Sequence, residues 1–250
     1  MRRVLLPVVA AFSLTSATQA ADLASAVIAP VAAAINTGGW YLRGDVGYVM
    51  PTRPTVNGLL PGGLIRTFED ERLGKSFLVG AGVGYKFNNW FRADATVEWR
   101  KSSTFHATNS GTNYVNGYSD ERARFSARTF MVNGYIDLGS WSGFTPYVGA
   151  GVGVAAKDVR NWQTQVFCYN ALCTPSGPTA TLPNSSKTGF AWALMAGTAV
   201  QLTDALALDI GYRFINLGGV TTNSDPFGVA AKVDDVKVNE VKVGLRYMFR

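Results

Sequence analysis

The feature that most constrains this chain is an alternation of side chains with period two, which recurs eight times over stretches of about ten residues. That period belongs to extended strands whose two faces meet different surroundings. It is clearest where Phe91, Ala93, Ala95, Val97 and Trp99 alternate with Arg92, Asp94, Thr96, Glu98 and Arg100. The first segment sets Trp40, Leu42, Val46 and Tyr48 against Arg43 and Asp45, and the second, 77–87, sets apolar residues against glycines and Lys86. The fourth places Phe130, Val132, Ile136 and Leu138 opposite Thr129, Asn133, Tyr135 and Asp137. Segments 145–155 and 189–202 follow, then Leu206–Phe214 carrying Asp209 and Arg213, and last Val241–Phe249 carrying Lys242 and Arg246.

Connections alternate in length. Residues 88–90, 139–144 and 204–205 read as tight turns of Asn, Ser, Gly and Asp, whereas 51–75, 101–125, 157–188 and 217–237 are long and polar. Eight strands with this rhythm predict an all-β fold, an eight-stranded antiparallel up-and-down transmembrane β-barrel. Both barrel ends then lie on the short-turn side.

Three observations predict that the apolar face points outward, into lipid. Strands of about ten residues are long enough to cross a hydrocarbon layer when tilted. Aromatics gather at strand ends: Trp40, Phe87, Trp90, Phe91, Trp141, Phe144, Tyr247 and Phe249 near the short turns, and Tyr48, Phe77, Trp99, Phe190 and Phe214 near the long loops. The other face carries near-balanced charge: Arg43, Lys86, Arg92, Arg100, Arg213, Lys242 and Arg246 against Asp45, Asp94, Glu98, Asp137, Asp209 and Glu240. Inside an eight-stranded barrel, whose interior side chains can fill, these groups have to pair. Gly80, Gly82, Gly84, Gly149, Gly151 and Gly153 on that face leave room for the charged heads.

Residues 1–20 read as a secretory signal: basic Arg2-Arg3, an apolar stretch to Leu14, and small residues before a cleavage site at Ala20–Ala21. Its removal lowers the formal net charge of +6 by the two arginines. Residues 21–38 are then a periplasmic lead-in and 39–250 the barrel. Cys168 and Cys173 suit a small loop-tip disulfide in an oxidising compartment. The run Gly80-Ala81-Gly82-Val83-Gly84-Tyr85 lacks the spacing and the following helix of a nucleotide-binding loop. No cofactor, metal cluster or nucleic-acid motif is expected, and the basic residues are dispersed instead of forming one patch.

The chain resembles the small Gram-negative outer-membrane β-barrel proteins, the OmpA-, OmpX- and OmpW-like group, and within it the surface-antigen branch. The resemblance rests on Trp40-Tyr41-Leu42-Arg43-Gly44-Asp45-Val46-Gly47-Tyr48, Thr145–Gly153, Leu208–Phe214 and Val243–Phe249. It implies residence in the outer membrane, with lipids and lipopolysaccharide as neighbours. Host or peptidoglycan-associated components are further expected partners. The last strand is similar to the signal read by the barrel-assembly machinery, carried here by Val243, Leu245, Tyr247 and Phe249, with Arg250 added after the aromatic.

Three functions remain open from sequence. One is a non-enzymatic structural or surface protein whose lumen is plugged by salt bridges and whose loops display Arg53, Arg66, Glu69, Asp70, Glu71, Arg72, Lys101, Asp120, Glu121, Arg122 and Arg124. Another is a narrow channel for small solutes. The third is a lipid-modifying or proteolytic enzyme built around the sole histidine, His106, near Thr104, Thr108 and Ser110.

Overall fold

A computed structural model describes residues 38–63, 65–109, 117–170, 177–226 and 228–249. Alternation becomes strand wherever one face can be buried and the other meets apolar surroundings. The strands are β1 (Gly39–Pro51), β2 (Val56–Leu59), β3 (Ile65–Thr67), β4 (Glu69–Leu73), β5 (Ser76–Lys86), β6 (Phe91–Asn109) and β7 (Gly117–Asp137). They continue with β8 (Phe144–Cys168), β9 (Gly177–Leu182), β10 (Ser185–Gln201), β11 (Leu206–Asn216), β12 (Val220–Thr221), β13 (Ala230–Val233) and β14 (Lys237–Met248). Eight of them form the ring β10-β11-β14-β1-β5-β6-β7-β8, and β8 pairs back onto β10. Closure leaves the eight-stranded ring itself without an open edge, so each ring strand has two hydrogen-bonded neighbours. Every pairing in the ring is antiparallel.

Register fixes which end is which. Tyr41 stands opposite Met248, so the barrel begins and finishes at the same, short-turn end. There Asn88 caps its turn by accepting from the backbone amides of Trp90 and Phe91, and the hydroxyl of Thr203 accepts from Leu206.

The outer surface is apolar around the ring. Leu42, Val79, Val97, Val132, Val152, Leu194 and Leu245 are each about half exposed, a surface that suits hydrocarbon and not water. Aromatic contacts run around the short-turn end, linking Trp40 to Tyr85, Tyr85 to Phe87, and Phe87 to Phe91, and separately Tyr247 to Phe249.

The structure departs from the sequence reading at the long-loop end. Residues 101–109, 117–125 and 157–168, read as loop, continue β6, β7 and β8, and β9 and the start of β10 lie in the same stretch. The strands persist because their inward residues still find an apolar interior: Phe105, Ala107, Ala123, Phe125, Val159 and Trp162 are buried. A second sheet, β12-β13-β2-β3, drawn from the first and last long connections, fills that interior. Val56, Val220, Val233 and Val236 join one core with the wall residues. The wall is therefore tall on the β6–β8 side, and β1, β5, β11 and β14 are much shorter. Bulges between Arg100 and Ser103 and between Arg122 and Arg124 mark where the tall strands bend.

Candidate functional site

The barrel interior is stacked in three levels. At the middle, Glu98 of β6 is wholly enclosed and accepts from Lys242 Nζ at 2.6 Å, from Arg213 Nη1 at 2.8 Å and from Arg100 Nη2 at 3.1 Å. Glu240 accepts from Arg100 Nε and Arg213 Nε, each at 2.7 Å. Two carboxylates thus hold three cations contributed by β6, β11 and β14. Just below, Arg43 donates to Asp45 through Nε and Nη2, at 2.9 and 2.7 Å, and to Asp94 through Nη1 at 2.8 Å. Lys242 lies 3.7 Å from Asp45, joining the two clusters. Asp94 also accepts from Asn133 Nδ2 at 2.8 Å and from the hydroxyls of Tyr41 and Tyr135. Taking charged groups out of water is costly, and it is tolerated here because each carboxylate is multiply hydrogen-bonded.

The short-turn end is looser. Arg92 Nε donates to Asp137 at 3.0 Å, but Arg92 Nη2 is 3.8 Å from Asp209, and Arg246 Nε is 3.6 Å from Asp209. Arg92 Nη1 and Nη2 and Asp209 Oδ1 have no hydrogen-bond partner among the described residues. The Arg92 guanidinium instead lies over two rings, 4.2 Å from the centroid of Tyr135 and 4.6 Å from that of Tyr147. Lys86 is half-buried at this end. Above the middle level, towards the long loops, the inward residues are mainly apolar, with buried Lys157 donating to the Leu217 carbonyl at 2.7 Å. Phe105, Phe125, Trp162, Ile215 and Leu217 form an apolar cap, and Met131 continues the same core down beside the charged level, opposite Thr96. A void of about 20 Å³ lined by Phe105, Phe125, Trp162, Val233 and their neighbours has no polar surface, a setting in which a small cavity stays dry.

Of the thirteen inward charges named from alternation, twelve are buried and Lys86 is intermediate. Period two put Thr96, Thr129, Asn133 and Tyr135 on the same face as these charges, but that they, with Tyr41 and Tyr147, are the charges' polar partners depends on the opposite wall. One displayed charge is corrected. Glu121 is not a surface group: it is 2% exposed, and it accepts from Trp162 Nε1 at 2.8 Å and from Ser119 Oγ at 3.0 Å. The reason is again period two, since Glu121 shares the inward face of the extended β7 with Ala123 and Phe125.

His106 is on the outward face of β6, with Nε2 2.8 Å from Asp120 Oδ1, and Asp120 also accepts from Arg122 at 2.9 Å. The Thr108 hydroxyl donates to the Glu69 carbonyl instead of to the imidazole. Ser110 and Cys173 lie outside the described residues, as do residues 1–37 and Arg250. Cys168 ends β8. Val243, Leu245 and Tyr247 face outward on β14, and Phe249 follows it, its amide donating to the Trp40 carbonyl.

Comparison with known proteins agrees with this architecture. An uncharacterised protein of Brucella suis is 33% identical over 252 residues, spanning 85% of each chain. A putative adhesin of Rickettsia prowazekii is 25% identical over 220 residues, spanning 83% of this chain and 86% of that one. The solid-state NMR structure of the outer membrane protein AlkL in lipid bilayers superposes with a TM-score of 0.51 at 16% identity, covering 87% of this chain and 93% of that chain. Residues 9–249 match the outer membrane protein beta-barrel domain family, and the chain belongs to it.

Proposed function

We propose that this protein is a non-enzymatic surface barrel with a closed lumen, which contributes to envelope integrity and presents its long-loop end to the outside. The observation that carries the reading is the double closure of the interior. Glu98 and Glu240 cross-link β6, β11 and β14 at mid-height, and the apolar cap around Phe105, Phe125 and Trp162 lies above them. A solute would have to part both. In this reading the signal is cleaved after Ala20, residues 21–38 lie in the periplasm, Cys168 bonds Cys173 at a loop tip, and Val243, Leu245, Tyr247 and Phe249 guide assembly. The name of the Rickettsia relative supports a role in surface contact for the raised wall.

Planar-bilayer recording tests the closure. The purified, heat-modifiable barrel is expected to give no reproducible single-channel steps, and steps of constant size would establish the narrow-channel alternative. The non-enzymatic part has its own test. Lipid A from cells carrying His106→Ala should have the same mass as that from wild-type cells, and a mass difference would assign a modifying activity to this chain.

A further inference from the structure

The outward face of the raised wall carries a site that the closed-lumen reading does not use. Phe125 and Val159 are register partners facing the cap, so the next pair, Arg124 and Arg160, points the other way. These two arginines stand directly opposite each other on β7 and β8, and both are exposed. Thr104 of β6 pairs with Arg124 in the same row. Like charges directly opposite on adjacent strands repel. The carboxylates that could relieve them are committed elsewhere: Asp120 to His106 and Arg122, and Asp158 to Arg128 at 3.1 Å. Neither Arg124 nor Arg160 has an ion-pair partner among the described residues. A single bulge adjoins the pair: between Arg122 and Arg124 one residue of β7 faces two of β8, where Asn161, at φ +52°, follows Arg160.

We infer that Arg124, Arg160 and Thr104 form a clamp for a phosphate on the sugar headgroup of an outer-leaflet glycolipid. Two guanidinium forks and a hydroxyl in one row match the oxygens of a phosphate monoester. Height and direction select the source. The row faces sideways over the membrane, not upward from the loop tips. Four residues separate Arg124 from Arg128, the register partner of the outer-girdle ring Trp99. At about 3.3 Å per residue and a tilt of about 40°, the clamp stands roughly 10 Å above that ring. A phospholipid headgroup layer is only about 5–8 Å deep, so a tall, phosphorylated sugar headgroup reaches the clamp and a phospholipid does not. The site rests on the outer-membrane orientation proposed above, with the long-loop end outside.

The test compares the full barrel with Arg124→Gln/Arg160→Gln in detergent micelles, reading retained lipid by native mass spectrometry. The probes are rough lipopolysaccharide with core phosphates, the same material dephosphorylated, phosphatidylglycerol and inorganic phosphate. Wild type should retain the phosphorylated glycolipid at least about tenfold better than the double variant, and the other three probes should not distinguish the two proteins. Equal retention by both proteins, equal retention of dephosphorylated material by wild type, or a phosphatidylglycerol difference of the same size would overturn the proposal. A soluble polysulfate that wild type binds as tightly as the glycolipid, and the double variant does not, would also overturn it by reassigning the clamp. Arg124→Lys/Arg160→Lys keeps charge but loses both forks, and intermediate retention is expected; retention equal to the Gln pair's loss or to wild type would count against a forked phosphate contact. Surface labelling of the long-loop end on intact cells separates a wrong orientation from a wrong ligand. If those loops do not label, the orientation fails; if they label and the retention difference is absent, only the clamp fails.

Discussion

At the scale of single residues, the interior is decided by a few carboxylates with several partners each. Glu98 is the most connected, and its removal leaves three buried cations short of counter-charge. Breaking a buried network from one side costs roughly 3–5 kcal/mol. Glu98→Gln is therefore expected to lower the urea midpoint of the folded barrel in vesicles by that equivalent, while exposed Asp70→Asn, whose partner Arg53 is 3.9 Å away, leaves the midpoint unchanged. The inward glycines act at the same scale. A Cβ at Gly84 would collide with the Tyr41 ring, and one at Gly244 with the Asp45 carboxylate. Gly84→Val should displace Tyr41 from Asp94, and the folded fraction on a heat-modifiability gel should fall. These glycines could be placed on the inward face from sequence. The side chain each one admits could not, because that partner comes from a neighbouring strand.

At the scale of elements, β6, β7 and β8 each serve two surroundings. Their lower halves face lipid, and their upper halves face the apolar cap on the inside and solvent on the outside. The upper halves depend on packing against β2, β12 and β13 more than on the ring. Trp162→Ala removes a core side chain at a cost of roughly 3–5 kcal/mol and strips Glu121 of its indole donor. The expected result is local: rapid protease cleavage within 101–125 or 157–188, with the heat-modifiable barrel fragment still intact. Simultaneous loss of both would show that wall and cap unfold as one unit. Sequence periodicity misread this region because polar outward residues such as Thr104, Asp120 and Gln163 look like loop composition. The alternating Phe105, Ala107, Ala123 and Phe125 were present but had no visible lining to pack against.

At the scale of the whole molecule, the interior is polar and loosely bonded at the short-turn end, tightly cross-linked at mid-height and mainly apolar above. At the loose end Arg92 and Asp209 meet only in long ion pairs, with atoms that make no hydrogen bond among the described residues, so water is expected to enter from that side and to stop at Glu98 and Glu240. With Cys168 and Cys173 replaced by Ser, Lys86→Cys should react with a small thiol reagent from the short-turn side, and Leu217→Cys, in the cap beyond Glu98 and Glu240, should resist it from either side. Labelling of both would show a lumen wetted throughout. The sequence alone determined the number of wall strands, their antiparallel rhythm, the lipid-facing side and which charges of the eight alternating segments face inward. These follow from a period-two pattern and from turn lengths, which are local properties of the chain. Only the tertiary structure decided which charge meets which, that Glu121 is buried, that three strands rise above the membrane, and that two distant connections form the sheet filling them. Those outcomes depend on contacts between residues far apart in sequence, such as Glu98 with Lys242 or Val56 with Val233, and no local pattern specifies the partner.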